Sequence, residues 1–368
     1  LLQQEGDVFN AGDAGTTFRF LTAYLAIQPG TQILDGSERM RERPVGGLVE
    51  ALRVLGADIA CLGREGFPPL RIGPAKQPVS NQPAQISVAG TTSSQFVSAL
   101  LMIGPYLPGG LELTLSGGLV SRPYVEMTIN MMRIFGAFVR WEHDTIFVSP
   151  GHYTTPEYRV EADWSAASYW YALAALADTV ELRLKGLQEN SIQGDAVIRT
   201  FMQKFGVQTT FEQDGILLKK SGKSPAPAFQ ADFLECPDIA QTLAVVCAAT
   251  GTAGLFSGLD TLSIKETDRI AALKQELRKT GVSFSRLPER MHKKAAPDKT
   301  FYLVEGKAHW QTPPRFATYN DHRMAMAFAA FAFLREIEIE HPQVVEKSYP
   351  QFWEHLKAAG FYLTDSTL

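Results

Sequence analysis

Three short segments concentrate charge in a way that solubility alone does not require. Arg39-Met40-Arg41-Glu42-Arg43-Pro44 places three arginines within five residues, just ahead of an amphipathic stretch. Lys265-Glu266-Thr267-Asp268-Arg269 alternates cation and carboxylate at the start of another. Tyr319-Asn320-Asp321-His322-Arg323-Met324-Ala325-Met326 sets a His-Arg pair at the mouth of a helix that is apolar on nearly every side. Taken singly, the first two read equally well as solvated charge clusters. The third does not, because a charge entering a core is costly unless a partner meets it, and an incoming anion would be that partner. Guanidinium forks grip carboxylate and phosphate bidentately. Carboxylates set among cations can hold different protonation states, so one site can supply acid and base. The chemistry these segments offer is recognition of an anion by cations at a helix start.

The elements that must position these residues repeat. Five amphipathic stretches, at 48–56, 124–136, 196–206, 269–281 and 352–360, each end in glycine, with successive glycines 80, 70, 75 and 79 residues apart. A glycine there suits a left-handed helix C-cap, and residues of strand character follow at 57–60, 137–140, 207–210 and 282–285. Half a beat out of phase run five polar openings, at Asp13–Thr16, Thr91–Gln95, Asp163–Ala166, Pro237–Ala240 and Asn320–Arg323. Each leads into a helix too apolar to be anything but buried, as at Thr242–Ala249 and Met324–Leu334. Helix N-termini carry free N–H groups and a positive dipole end; several converging on one place would bind an anion. The first unit is expected to open directly at its buried helix with no strand before it, so that five units and a remnant point to a sixth repeat lying upstream of Leu1.

With 368 residues, two domains are expected, at 1–160 with two repeats and 161–368 with three. Apolar residues make up 45% and charged residues 20%, with a net charge of −4 and no long basic run, which argues against a nucleic-acid surface. Cys61, Cys236 and Cys247 form neither a disulfide framework nor a metal-ligand spacing. No apolar stretch approaches the ~20 residues a membrane helix needs, and the first residues lack the pattern of a signal peptide. A cytoplasmic chain acting as a monomer is the expectation.

Seven motifs in order carry a specific resemblance: Asp13-Ala14-Gly15-Thr16-x-x-Arg19, Arg39-x-x-x-Arg43-Pro44, Ser93-Ser94-Gln95, Ser121-Arg122-Pro123-Tyr124, Lys265-Glu266-Thr267-Asp268-Arg269, Asn320-Asp321-His322-Arg323-Met324-Ala325-Met326 and Lys347-Ser348-Tyr349-Pro350. Over about Asp13 to Gly360 the chain resembles the 5-enolpyruvylshikimate-3-phosphate synthase family. The resemblance implies an α+β fold of two domains built from βαβαββ units, the inside-out α/β barrel of the enolpyruvyl transferases. It implies transfer of the enolpyruvyl group of phosphoenolpyruvate to the 5-hydroxyl of shikimate-3-phosphate with release of phosphate. Gly15, Arg43, Gln95, Arg269, Arg323 and Lys347 correspond to that family's phosphoenolpyruvate site. Ser93, Ser94, Gln95, Ser121, Tyr124, Asp238 and Lys265 correspond to the shikimate-3-phosphate contacts. Asp238 matches the base at the 5-hydroxyl, Glu266 the carboxylate that moves protons at the methylene carbon, and His322 a supporting group for the leaving phosphate. Closure of the domains on substrate is expected, because the matched cations lie on both halves of the chain.

Departures from the pattern are also legible. The family opens with a Pro-Gly-Ser-Lys-Ser-x-x-x-Arg segment whose side chains touch both substrates; nothing here matches it, so an incomplete site and an inactive chain are expected. Thr261 stands where the family has an asparagine on the shikimate phosphate. Two rival readings stay open: the sister enzyme acting on UDP-N-acetylglucosamine, which uses a loop cysteine, and a non-catalytic anion-binding fragment of this fold.

Overall fold

In a computed structural model, residues 8–73, 82–89, 93–117, 122–291 and 299–364 are described; Ser121, among the expected site residues, lies outside them. The chain falls into two compact units, Leu1–Arg159 and Val160–Leu368.

The first unit contains one module twice. In the first copy β1 (Val8–Asn10), α1 (Gly15–Ala26), β2 (Gln32–Asp35), the short α2 (Glu38–Arg41), α3 (Gly46–Val54), β3 (Asp58–Cys61) and β4 (Leu70–Gly73) form a sheet in the order β1-β2-β4-β3. The β1–β2 pair is parallel and the other two are antiparallel. The second copy repeats it with β5 (Ala84–Ala89), α4 (Ser94–Ile103), β6 (Leu111–Ser116), α5 (Arg122–Ile134), β7 (Val139–Glu142) and β8 (Thr145–Val148), ordered β5-β6-β8-β7.

In the second unit α6 (Trp164–Leu176), β9 (Glu181–Lys185), α7 (Ile198–Met202), β10 (Val207–Glu212) and β11 (Gly215–Lys220) make a three-stranded version, β10-β11-β9. A full copy follows: β12 (Ala228–Asp232), α8 (Ala240–Thr250), β13 (Ala253–Ser257), α9 (Arg269–Arg278), β14 (Ser283–Arg286) and β15 (Phe301–Glu305), ordered β12-β13-β15-β14. The last copy holds the parallel pair β16 (Arg315–Phe316) and β17 (Glu338–Ile339), with α10 (His322–Phe328) and α11 (Phe352–Ala358).

Each module has one helix inside and one outside, and the sequence dictates which. Every residue of α8 from Ala240 to Ala249 is buried, whereas α5 buries only Val125, Ile129 and Met132, a stripe at helical spacing. The inner helices pack on each other, α1 on α4 in the first unit and α6, α8 and α10 together in the second, and the sheets cover them. The five glycines at the ends of the outer helical stretches all take the left-handed conformation, with φ from 77° to 99°, which a Cβ would resist.

Three expectations are corrected. The first module does not begin at its inner helix: β1 precedes α1 and pairs in parallel with β2, a three-residue strand too short to show an alternating pattern. The stretch 196–206 is one α-helical turn between two 3-10 pieces, Gly194–Val197 and Gln203–Phe205, since Val197, Ile198, Thr200 and Phe201 are weak helix formers. The apolar run from Met324 leaves the α-helix at Phe328 and continues as a 3-10 helix over Ala329–Phe333. That geometry eclipses residues three apart, so Phe328 and Phe331 stand with ring centroids 5.6 Å apart and both pack on Phe316, at 4.7 and 5.7 Å.

The inner-helix core is where truncation costs most. Phe256, fully buried on β13, meets Phe233 at 4.8 Å and Phe229 at 6.1 Å. Phe256→Ala is expected to remove about 3–5 kcal/mol of stability, read as the shift of the urea midpoint at constant m-value.

Candidate active site

In the second unit the starts of α6, α8, α9 and α10 bring charges together around one guanidinium. Arg269, the first residue of α9, is 1% exposed. Its Nε donates to Asp321 Oδ2 at 2.6 Å, Nη1 to Asp238 Oδ1 at 2.9 Å, and Nη2 to Glu266 Oε2 at 2.8 Å and Asp321 Oδ1 at 3.4 Å. Those four bonds use all but one of the five N–H donors of a guanidinium. Asp321 is wholly buried and also caps α10, accepting from Arg323 N at 2.9 Å. Arg323 Nη2 then donates to Asp238 Oδ2 at 2.9 Å. Lys265 lies 3.7 Å from Asp238 Oδ1 and Lys347 donates to Glu266 Oε1 at 2.7 Å. The sequence segments around 265, 321 and 347, with Asp238, thus meet in one ionic cluster of four cations and three carboxylates.

Burial disfavours ionisation of Asp238, but Arg323, Lys265 and Arg269 overcome it and hold its carboxyl far below the usual carboxylate range. The same contest places Glu266 well below its ordinary value, with Arg269 and Lys347 outweighing burial. His322 moves down to about 4, chiefly by burial and then by Arg323, so its imidazole is neutral at physiological pH. The backbone ahead of it is strained: Tyr319 and Asn320 have φ of 54° and 56°, a conformation that costs a residue with a Cβ roughly 1–2 kcal/mol.

The first unit gathers a smaller set at the starts of α1 and α4. Gln95 Nε2 donates to Thr16 Oγ1 at 2.9 Å, and Ser93 caps α4 by accepting from Gln95 N at 3.3 Å. Arg19 Nη1 donates to the Gly15 carbonyl at 2.9 Å. A Cβ on Gly15 would fall 2.6 Å from both Arg19 Nη1 and Arg43 Nη1, so the absent side chain is what lets two guanidinium groups stand against that helix start. Ser94 opens α4 and Tyr124, half-buried, lies in the first turn of α5. Thr261, on the 3-10 turn Asp260–Ile264, joins neither group.

Several participants have no clear signal in the sequence. Arg19 and Asp321 fall inside the motifs, but nothing in the spacing separates them from their neighbours. Asp195 is a lone acid on the 3-10 turn Gly194–Val197 that follows β9. It is 5% exposed, its Oδ2 accepts from Ser165 Oγ at the start of α6, and its Oδ1 is buried without a partner. Asp238 differs from expectation in detail. It sits in the 3-10 turn Pro237–Ile239 ahead of α8 and does not cap the helix; its carboxylate turns to the cations instead. Asp13 likewise leaves α1 uncapped and accepts from Ser37 Oγ. Among the described residues, no three or more His, Cys, Asp or Glu stand in position to hold a metal ion, and no helix is long and apolar enough to cross a membrane.

Repeated four-stranded sheets wrapped around inner helices, with arginines, lysines and carboxylates gathered at helix starts, define an α+β protein equipped for acid–base chemistry on anions. A family model described as EPSP synthase (3-phosphoshikimate 1-carboxyvinyltransferase) matches residues 1–356, and the chain belongs to that family. It is 45% identical over 362 residues to the 3-phosphoshikimate 1-carboxyvinyltransferase of Bacteroides fragilis, covering 98% of this chain and 85% of that one. It is 38% identical to the enzyme of the same name from Neisseria meningitidis over 348 residues, 93% of this chain and 77% of the relative. The fold is similar to the solved EPSP synthase of Acinetobacter baumannii, with a TM-score of 0.74 at 23% identity, covering 95% and 78% of the two chains.

Asp195 offers a test of the electrostatics. Burial first, then the nearby Asp238 carboxylate, pushes its carboxyl from 3.8 up to about 7. A raised folded-state value favours the folded state below the unfolded value, and that contribution disappears as pH rises through the folded one. The stability difference between wild type and Asp195→Asn, followed by urea denaturation from about pH 4 to pH 8, should therefore move steadily in favour of the variant. A difference that does not change with pH would mean that Asp195 is ionised throughout.

Proposed function

We propose that the protein transfers the enolpyruvyl group of phosphoenolpyruvate to the 5-hydroxyl of shikimate-3-phosphate and releases phosphate, with the residues above in the following roles. The observation that carries the assignment is the continuous ionic chain from Lys347 through Glu266, Arg269 and Asp238 to Arg323. Phosphoenolpyruvate puts a carboxylate and a phosphate on three carbons, and is assigned to Gly15, Arg43, Gln95, Arg269, Arg323 and Lys347. Shikimate-3-phosphate is assigned to Ser93, Ser94, Gln95, Ser121, Tyr124, Asp238 and Lys265. Of the two arginines in the ionic cluster, Arg323 has more donors to spare than Arg269, since its closest carboxylate bond is the single one to Asp238, with longer contacts of 3.4 Å to Tyr169 Oη and the Asp238 carbonyl.

In the addition step the 5-oxygen bonds to C2 of phosphoenolpyruvate, its proton passes to Asp238, and Glu266 delivers a proton to C3, turning methylene into methyl. In the elimination a C3 proton returns to Glu266, the C2–phosphate oxygen bond breaks, and the double bond re-forms as phosphate leaves. Neutral His322 hydrogen-bonds that leaving group. Without substrate, Asp238 is too weak a base and Glu266 too strong an acid for these tasks. Anions that engage Arg323, Lys265 and Lys347 withdraw part of the field on both carboxyls and raise their proton affinity, so substrate arrival readies the acid and the base together. A monomer working in the cytoplasm without a cofactor belongs to the same proposal.

The test is phosphate release from phosphoenolpyruvate by a version of the chain carrying the family's opening Pro-Gly-Ser-Lys-Ser-x-x-x-Arg segment, which should proceed with shikimate-3-phosphate as acceptor and should not with UDP-N-acetylglucosamine. Cys61 is poorly suited to the second reaction: it is part of strand β3, and its Sγ accepts from Gly66 N at 3.3 Å. Turnover with the UDP-sugar, or with neither acceptor in a folded protein, would overturn the proposal. Arg323→Ala is expected to raise KM for phosphoenolpyruvate by about 10- to 100-fold, the scale of charge-assisted bonds to one anion, with a much smaller change for shikimate-3-phosphate. Equal losses for both would misplace the arginine.

A further inference from the structure

Helix α9 grips the segment leading to α10 twice. The first grip is Arg269 on Asp321. The second lies two turns further along α9, at Glu276, a carboxylate with no exposure at all. Its Oε1 accepts from Tyr319 Oη at 2.6 Å, and its Oε2 accepts from Ala317 N at 3.0 Å and Lys279 Nζ at 2.6 Å. Lys279 Nζ also donates to the Arg315 carbonyl at 2.7 Å. Between the two grips the chain takes its two consecutive left-handed residues, Tyr319 and Asn320, and Asp321 N closes the turn on the Thr318 carbonyl at 2.8 Å.

A purely structural account of Glu276 explains why it has donors, since a buried charge must be satisfied. It does not explain which donors. Apart from Lys279 at the C-cap of its own helix, its partners belong to residues 317–319, the approach to the ionic cluster, and a left-handed turn of non-glycine residues persists only where its surroundings over-determine it. One rigid helix thus fixes both ends of a five-residue segment, Ala317 to Asp321. Asp321 in turn orients Arg269 and starts the helix that carries His322 and Arg323.

We propose that Glu276 is a positioning residue for the reaction: by holding Ala317 and Tyr319 it maintains the left-handed turn that aims Asp321, His322 and Arg323 at the substrate anion. This rests on the assignment of Arg323 to phosphoenolpyruvate made above. Glu276 touches no reacting atom, and loosening it misaims the cation without removing it. The signature is a selective rise in KM for phosphoenolpyruvate while the fold stays intact.

Tyr319→Phe is the gentlest probe, because the ring stays packed and one hydrogen bond is removed. It should raise KM for phosphoenolpyruvate about five- to ten-fold, the scale of one ordinary hydrogen bond. KM for shikimate-3-phosphate should change less than about two-fold, and the urea midpoint should fall only by the cost of one donor lost to Glu276 Oε1. Glu276→Gln should do the same or more, and Tyr319→Phe added to it should cost little extra, because both act through one contact. Unchanged KM values in Tyr319→Phe would overturn the inference, as would losses for both substrates that track a fall in the urea midpoint. Arg323→Ala, assayed alongside, separates the two readings. If it is selective for phosphoenolpyruvate while Tyr319→Phe is silent, only the role of Glu276 fails; if it is unselective, the site assignment fails and the inference with it. Should Glu276→Gln not fold, Tyr319→Phe alone decides.

Discussion

A buried guanidinium has to be compensated on several sides at once, and in this protein that requirement organises the second unit. Arg269 takes carboxylates from three separate segments: Glu266 from the turn before its own helix, Asp238 from the turn before α8 and Asp321 from the cap of α10. Removing the cation would leave three acids facing one another, and removing any one acid would leave the buried Arg269 short of a partner. The inner helices therefore do more than fill the core. Their starts are held at fixed spacing by an ionic joint, and that joint delivers Arg323, Lys265 and Lys347 to the same spot.

The modular plan serves the same end. In a βαβαββ module the inner helix runs between two parallel strands, so its N-terminus always emerges at the same end of the sheet. Repeating the module brings several such ends together without a dedicated element for each. In the first unit the result is a Gly15–Arg43–Arg19 corner beside Gln95; in the second it is the joint around Arg269. Neither group needs a long loop to present it, and most of the named side chains lie on a helix, in its first turn, or on the 3-10 turn just before one. A rigid setting of this kind suits a reaction in which two carboxyls must act at neighbouring atoms in opposite senses.

Much of the module plan was legible from glycine spacing and helix polarity, because left-handed caps and all-apolar helices leave marks that depend on one or two residues. The strand β1, the splitting of the 196–206 helix and the 3-10 continuation after Phe328 were not, since each is decided by neighbours distant in sequence. The site divides in the same way. Lys265, Glu266, Arg269, His322, Arg323 and Lys347 stood out as charge in unusual company or as pieces of a family motif. Asp195 and Glu276 did not, because an isolated acid on a turn or on an amphipathic helix looks like any surface acid until its burial is known. What distinguishes them is the dry environment around them, which no local pattern encodes.

The charges of the second unit's site pair with one another as an internal salt. Asp238 holds Arg323 and Glu266 holds Lys347, so an arriving anion exchanges partners with groups that are neutralised beforehand and does not discharge a bare cationic well. Such an exchange changes the long-range field of the protein little, and the chain's net charge of −4 adds no attraction at a distance. Capture should then depend on fit at close range far more than on steering from afar. Added electrolyte, which mutes distant fields and leaves sheltered pairs largely alone, would slow binding only slightly, and the enzyme would keep its preference for a correctly shaped anion in the crowded ionic medium of a cell.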